Sequence, residues 1–186
     1  TAVICEFNPF HNGHKYLLES AKNVLKEPVI AIMSGSFTQR GEVAVCDKFV
    51  RAKSALENGA DLVLELPVVF SLSGAEGFAK AGVAIASAFD CTNHLAFGSE
   101  SGDCELLKKS ANAVCDERVQ ALVRDGMKNG GYYPRELENA VKMVFGDEIS
   151  SVLCEPNNIL GVEYIKALNG TGVEPFNAFI YSTPRI

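Results

Sequence analysis

The start of the chain decides the fold: residues 2–18 read AVICEFNPFHNGHKYLL. The first part of this stretch, residues 2–7, is a largely apolar run that is typical of a buried strand. Residues 14–25, HKYLLESAKNVL, have the apolar spacing of an amphipathic helix. The segment 8–14 joins the two, so we expect it to lie at the carboxyl end of a strand and the amino end of a helix.

The same alternation of apolar runs and helical segments continues along the chain. Further strands are predicted at 29–33, 61–67 and 94–98. Helices are predicted at 47–58, where Phe49, Ala52, Ala55 and Leu56 share a face before Gly59, and at 71–89. Strands separated by helices predict an α/β fold with a doubly wound parallel sheet. Additional C-terminal helices are predicted at 117–130, 134–145 and 157–168.

The composition narrows the class of protein. The chain has 186 residues, enough for one compact domain, with 47% hydrophobic and 22% charged residues, as in globular proteins. Its formal net charge of −6 argues against a surface that binds nucleic acids by bulk attraction to phosphates. Any bound nucleic acid would therefore need a local patch.

Cysteine usage and hydropathy exclude several further classes. The six cysteines are scattered and include no CxxC pair, which excludes a disulfide scaffold and a zinc ribbon, and we expect most of them to be buried. No uninterrupted apolar segment is long enough for a membrane span, and no signal-peptide pattern is present. We therefore expect no membrane association and a cytoplasmic location.

The corner between the first strand and the first helix concentrates histidine. The chain has three histidines, and His11 and His14 lie here with Gly13 between them. A helix N-terminus presents free N–H groups and a partial positive charge, two imidazoles add donors, and Gly13 allows close approach to the backbone. A nucleotide's phosphate chain matches this arrangement best. Two other interpretations stay open, a structural corner and a pair of metal ligands, although no cysteine or acidic cluster nearby offers a third ligand.

Several polar residues near the strand ends are candidates for substrate contacts. Glu6 and Glu65 lie at strand ends, where either a structural hydrogen bond or a polar substrate contact fits. Asn157 and Asn158 precede a helix, so one of them can be its N-cap. The loop after the second strand contributes Gln39, Arg40, Asp47, Lys48 and Arg51. A solvated loop is the alternative for each of these five residues.

The sequence resembles a known family at several motifs. His11 to His14 match the H-x-G-H signature of nucleotidyltransferases with a Rossmann-like fold. In order, the strings EFNPFHNGHKY, MSGSFTQRGEVAVCDKFVRAKSALENGADLVLELP, FGSESGD and PNNILGVEYIKAL are similar to the tRNA(Met) cytidine acetate ligase family. The resemblance extends from residue 2 to about residue 168.

The resemblance implies an enzyme that activates acetate with ATP, releases pyrophosphate and transfers the acetyl group to N4 of the wobble cytidine of elongator tRNA(Met). It implies catalytic roles for His11 and His14, which would face the phosphates, with Mg²⁺ on the triphosphate. The loop residues Gln39, Arg40, Asp47, Lys48 and Arg51 become candidates for acetate or RNA contacts. The implied ATP contacts are Ile4, Cys5, Glu6, Phe7, Asn8, Pro9, Phe10, His11, Asn12, Gly13, His14, Lys15, Tyr16, Leu17, Gly98 and Asn157.

The chain departs from this family after residue 168. Family members continue into a serine and basic motif, and we expect that part to be missing or divergent here. The expected organisation is a nucleotidyltransferase-like ATP-binding domain over 1–168, helical in its C-terminal portion, and a divergent tail over 169–186. Two alternatives remain: a nucleotidyltransferase that adenylylates another small acceptor, and a truncated nucleotide-binding domain without full activity.

Overall fold

A parallel sheet forms the centre of the molecule in this computed structural model, which describes residues 1–170 and 179–182. Three strands, β1 (Ala2–Cys5), β2 (Ile30–Ser34) and β3 (Leu62–Leu66), pair in that order. Two more, β4 (Ala96–Ser99) and β5 (Phe179–Ser182), form a second parallel pair. A parallel bridge between Ala2 and Leu95 sets β4 beside β1, so the strands follow one another as β3, β2, β1, β4, β5.

Helices cover both faces of this sheet. They are α1 (Asn12–Leu25), α2 (Lys48–Glu57), α3 (Val68–Ser71), α4 (Ala75–Ser87), α5 (Cys104–Cys115), α6 (Glu117–Lys128), α7 (Tyr133–Phe145), α8 (Asp147–Ser151) and α9 (Pro156–Gly170). Alternating strand residues separate two cores: Val3 packs with Leu18 and Ala55 on one face, whereas Ile4 packs with Phe78 and Val162 on the other. The predicted doubly wound parallel sheet with additional C-terminal helices is confirmed.

Some predicted elements differ from the structure. The helix predicted over 71–89 is shorter in the structure, because extended backbone at Gly74 delays the start of α4 to Ala75, and α4 ends at Ser87. The short helix α3 ends at Ser71 and was not predicted. The side chain of Phe49, predicted to lie on the packed face of α2, is 73% exposed. Strand β5 and helix α8 were not predicted. Of the predicted tail 169–186, residues 169–170 continue α9 and 179–182 form β5, and the remainder lies outside the described residues.

The cysteines are less buried than expected. All six are free thiols, and three of them, Cys91, Cys115 and Cys154, are exposed. The prediction that most are buried is therefore wrong, because these three lie at the ends of helices or in connecting segments rather than on packed faces.

Candidate active site

The histidine corner closes the N-terminus of α1 with its own side chains. His11 is the N-cap residue, and its Nδ1 accepts a hydrogen bond of 3.1 Å from the backbone N–H of Gly13. His14, three residues later, accepts one of 3.3 Å at Nδ1 from the backbone N–H of His11. This reciprocal arrangement is a capping box made of two imidazoles. The two histidines therefore have a structural role, as one of the open interpretations of the corner proposed.

The same hydrogen bonds fix the protonation of both rings. A nitrogen that accepts carries no proton, so each neutral ring has its proton on Nε2 and can donate from there. The two rings stack with centroids 3.6 Å apart. Burial, and then the neighbouring His11, lower the pKa of His14 from 6.5 to about 4. At neutral pH, His14 is therefore an uncharged donor.

Phe7 holds this corner in place beneath the histidines. Its φ of 49° lies in the left-handed region, which is unusual for a bulky residue and turns the chain sharply after β1. The Phe7 ring is buried, with centroids 5.0 Å from Phe10 and 4.8 Å from His14. The apolar contacts of Phe7 therefore hold the His14 ring at the strand end.

A cavity of about 400 Å³ opens at the carboxyl ends of β1 and β4. Ligands of doubly wound sheets lie at this edge, and the volume is within the range of small-molecule sites. The cavity is lined by Ile4, Cys5, Glu6, Phe7, Asn8, His11, Gly13, His14, Leu17, Gln39, Phe78, Phe97, Gly98, Asn157, Leu160 and Tyr164.

The lining brings together most of the residues singled out as ATP contacts. Gly98 and Asn157, distant in sequence, lie on the same cavity as the histidine corner. Five predicted contacts lie outside the lining: Pro9, Phe10, Asn12, Lys15 and Tyr16. Four lining residues were missed: Phe78, Phe97, Leu160 and Tyr164. They lie in predicted helices and a predicted strand, where the sequence pattern predicts that apolar residues belong to the hydrophobic core. Sequence spacing does not show which of these core residues also borders a cavity.

Glu100 positions Asn157 at the start of α9. Its carboxylate accepts hydrogen bonds from the backbone N–H of Asn157 at 3.2 Å and of Asn158 at 2.8 Å, and from the side-chain amide of Asn157 at 2.8 Å. Asn158 in turn accepts at Oδ1 from the backbone N–H of Ser101 at 3.0 Å. The carboxylate of Glu100, in the loop after β4, thus accepts from the backbone N–H groups at the start of α9, and neither asparagine is the capping group.

The candidate residues of the loop after β2 differ in position and in hydrogen-bond partners. Gln39 lines the cavity, and its backbone N–H donates to the Glu6 carboxylate at 2.5 Å. Arg40 is exposed and lies outside the lining. Asp47 caps α2 by accepting from the backbone N–H of Phe49 at 2.8 Å. Lys48 pairs with Glu65 at 2.6 Å.

Arg51 has a structural role instead of the expected surface contact. Its side chain is among the largest fully buried ones, with 1% of the residue exposed. The guanidinium donates to the carbonyls of Glu6 at 2.6 Å, Ser34 at 3.2 Å and Cys46 at 3.1 Å, and to that of Gly35. These bonds tie the ends of β1 and β2 to the following loop, and they leave Arg51 inaccessible to a substrate or an RNA.

Residues 1–170 and 179–182 show neither a metal-ligating cluster nor a membrane-spanning helix. In that part of the chain, no group of three or more His, Cys, Asp or Glu side chains is placed to hold a metal ion. None of the helices described there has the length and apolarity needed to cross a membrane.

Comparisons with known proteins agree with this geometry. A tRNA(Met) cytidine acetate ligase of Caldanaerobacter subterraneus subsp. tengcongensis is 45% identical over 170 residues, which cover 89% of this chain and 42% of that protein. One of Caldicellulosiruptor saccharolyticus is 39% identical over 193 residues, covering 99% of this chain and 47% of the relative. The chain thus spans less than half the length of these relatives.

A solved structure and a family profile give the same assignment. The crystal structure of Thermotoga maritima TmcAL bound with alpha-thio ATP superposes with a TM-score of 0.90 at 39% identity, and the match covers 97% of this chain and 45% of that one. The profile described as HIGH Nucleotidyl Transferase matches residues 1–177. The chain therefore belongs to the HIGH nucleotidyl transferase family.

Proposed function

We propose that this chain carries the ATP site of an enzyme that activates acetate and transfers the acetyl group to N4 of the wobble cytidine of elongator tRNA(Met). The observation that carries the proposal is the cavity above the His11 and His14 corner, at the carboxyl ends of β1 and β4. The similarity to a T. maritima TmcAL bound with alpha-thio ATP supports ATP as the nucleotide. The acetate ligases among the relatives support acetate and tRNA(Met) as the other substrates.

The corner offers donors where the activation step develops charge. A carboxylate oxygen of acetate attacks the α-phosphorus of ATP, the bond to the bridging oxygen breaks, and pyrophosphate leaves with that electron pair. The Nε2–H groups of His11 and His14 and the partial positive charge at the N-terminus of α1 stabilise the negative charge that grows on the phosphates. Gly98 and Asn157 contact the nucleotide from the β4 side of the cavity. No protein nucleophile is required, and burial raises the pKa of the Cys5 thiol well above its ordinary value.

Magnesium is the expected companion of the triphosphate. Among the lining residues the cavity has a single carboxylate, that of Glu6, and it has no cage of oxygen ligands. This wall fits a magnesium ion that arrives bound to triphosphate oxygens and water, which is how Mg²⁺ is usually held at nucleotide sites. The ion would supply charge neutralisation on the phosphates.

Acetate-dependent exchange of pyrophosphate into ATP tests the activation step directly. The proposal expects exchange with ATP and acetate, and acetylation of unmodified elongator tRNA(Met) when that RNA is added. Exchange that requires a different acid would favour adenylylation of another acceptor. ATP binding with no exchange for any small acid would favour a binding domain. Replacing His11 or His14 by Ala should abolish exchange, and full activity in both variants would contradict the phosphate-site assignment.

A further inference from the structure

One residue of the cavity wall carries a buried polar group that the activation step does not use. The side-chain Nε2 of Gln39 is buried, and within residues 1–170 and 179–182 it has no hydrogen-bond partner. Folded proteins rarely leave a buried donor without a partner, because its lost hydration is then uncompensated. Gln39 also lines the cavity. A ligand in the cavity can therefore supply the acceptor that this amide lacks.

The neighbouring group has the opposite hydrogen-bonding character. The Glu6 carboxylate lines the same cavity and receives the backbone N–H of Gln39 at Oε1, 2.5 Å away. Its second oxygen, Oε2, makes no hydrogen bond to any group in the described part of the chain. Glu6 and Gln39, which both line the cavity and lie beside each other, thus carry one carboxylate oxygen that can accept and one amide N–H that can donate.

The two segments that carry this pair, the chain after β1 and the loop after β2, are fixed to each other independently of any ligand. Asn8 accepts at Oδ1 from the backbone N–H of Val45 at 2.7 Å, and the Arg51 guanidinium donates to the Glu6 carbonyl at 2.6 Å. These bonds join the loop after β2 to the histidine corner. The acceptor and donor are therefore preorganised, as a recognition site requires.

We propose that Glu6 and Gln39 recognise the Watson–Crick edge of the cytosine that receives the acetyl group. Cytosine presents an N4–H₂ donor beside the N3 acceptor, which complements a carboxylate next to an amide donor. The inference rests on the proposed function, since it assigns the acceptor subsite of the same cavity.

Electrostatics favours the base over acetate at this position. Acetate has two acceptor oxygens and a negative charge, so at the Gln39 amide it would lie against the Glu6 carboxylate and be repelled. Cytosine is neutral, and its amine is attracted to the carboxylate. The acetyl group instead reaches this place as part of the adenylate, whose phosphate is held at the histidine corner.

Glu6 is also placed to take the proton that transfer releases. The N4 lone pair forms a bond to the acyl carbon of acetyl-adenylate, and the bond from that carbon to the phosphate oxygen breaks, with its electron pair leaving on AMP. The N4 proton passes to the Glu6 carboxylate, which returns it to water. The products are N4-acetylcytidine, AMP and one proton.

The test compares two half-reactions in the same protein. Gln39→Leu keeps the side-chain size and removes the amide. Glu6→Gln removes the charge but keeps an oxygen that can accept from the Gln39 backbone N–H. Glu42→Gln is the control, because it makes the same charge change at an exposed position of the loop that carries Gln39. Acetate-dependent ATP–pyrophosphate exchange and acetylation of tRNA(Met) transcript are measured for each, and folding is followed by thermal unfolding.

The proposal expects the ratio of acetylation to exchange to fall about tenfold or more in Gln39→Leu and Glu6→Gln, as for a lost hydrogen bond to a buried group, and to stay at the wild-type value in Glu42→Gln. Gln39→Leu should melt no lower than wild type, because it removes a donor without a partner. Equal loss of both reactions, a raised KM for acetate in Gln39→Leu, or an unchanged ratio would each overturn the proposal. A wild-type protein without acetate-dependent exchange would instead refute the proposed function.

Discussion

At the scale of single residues, the two corner histidines serve the fold and the site with different atoms. Nδ1 of each ring caps α1, which leaves Nε2 as the donor toward the cavity. The sequence predicted that His11 and His14 lie at a helix N-terminus, because strand and helix periodicities meet there. It did not predict the reciprocal cap, since H-x-G-H replaces the usual Ser or Thr and Glu or Gln of a capping box.

His14 should make the folded state sensitive to acid. Its pKa is about 4 in the folded protein and 6.5 in an unfolded chain, so the unfolded state binds the proton first. The free energy of unfolding should therefore fall as the pH drops from 6.5 toward 4. His14→Gln keeps a side chain that can complete the capping box but cannot titrate. Urea unfolding at several pH values should show a shallower decline for this variant, and identical declines would contradict the assignment.

Replacing Arg51 should lower the free energy of unfolding more than most other single substitutions. Arg51→Met removes all donors from the carbonyls at the ends of β1 and β2, and we expect a loss of about 3 kcal/mol in the free energy of unfolding. Arg51→Lys should recover only part of that, because an ammonium lacks the planar fork of a guanidinium. Lys53→Met, two residues away, is the matched control because the Lys53 side chain is 75% exposed. Urea titration measures all three, and equal stabilities for Arg51→Met and Lys53→Met would contradict this role.

Arg51 also shows why residue roles are hard to predict from sequence. By sequence, Arg51 belongs with Arg40 and Lys48 to a group of candidates for acetate or RNA contacts, with a solvated side chain as the alternative. What distinguishes Arg51 is the set of carbonyls that converge on it, from positions 6, 34, 35 and 46. Contacts between strand ends distant in sequence depend on the assembled sheet, which local patterns do not describe.

At the scale of elements, α9 and β4 form the side of the cavity opposite the histidine corner. Gly161 permits their close packing: a Cβ built there would lie 2.7 Å from Cε2 of Phe97. The neighbouring residues Leu160 and Tyr164 of α9 line the cavity together with Phe97. The packing of α9 against β4 therefore shapes this side of the site.

Gly161→Ala should push α9 away from β4. Alanine favours a helix over glycine by about 0.5–1 kcal/mol, but overpacking costs about 1–3 kcal/mol, so we expect net destabilisation. Gly74→Ala is the control, because a Cβ there meets nothing within 4 Å. Thermal unfolding and ATP titration should show lower stability and weaker binding for Gly161→Ala alone. A Gly161→Ala protein as stable as wild type would show that α9 has room to move.

Elements were predicted well where periodicity is strong. Strands β1 to β4 and the long helices α1, α6, α7 and α9 follow apolar patterns within a few residues of the predicted ends. The short elements were not predicted: α8 has five residues and β5 has four. Segments of this length carry too little pattern, and β5 depends on pairing with β4 rather than on its own composition.

At the scale of the whole molecule, ATP should stabilise the fold. Its proposed contacts come from β1, α1, β4 and α9, so binding is lost when the sheet unfolds. At one hundred times its dissociation constant, ATP should raise the free energy of unfolding by about 2.7 kcal/mol. Denaturant titration with ATP, and with tripolyphosphate as an anion control, measures this. A shift that tripolyphosphate reproduces in full would mean that the cavity binds only phosphates.

The fold class could be predicted from sequence because it depends on the order of strands and helices, which periodicity reveals. The rule that ligands lie at strand carboxyl ends predicted the His11 corner as a ligand site, whereas the contact at Gly98 was implied by the family resemblance. The aromatic wall of the cavity could not be predicted in this way. Phe78, Phe97 and Tyr164 satisfy the pattern of a core equally well, and only packing in three dimensions distinguishes their positions.

The joint between β1 and β4 has a consequence for motion. Among the described strands, β1 and β4 are linked by one parallel bridge, and the backbone N–H of Ala2 donates to the carbonyl oxygen of His94 at 2.8 Å. The cavity lies across this joint, with His14 on one side and Gly98 on the other. A ligand that spans the cavity therefore acts as a cross-brace, and amide hydrogens along the joint should exchange with deuterium more slowly when it is bound.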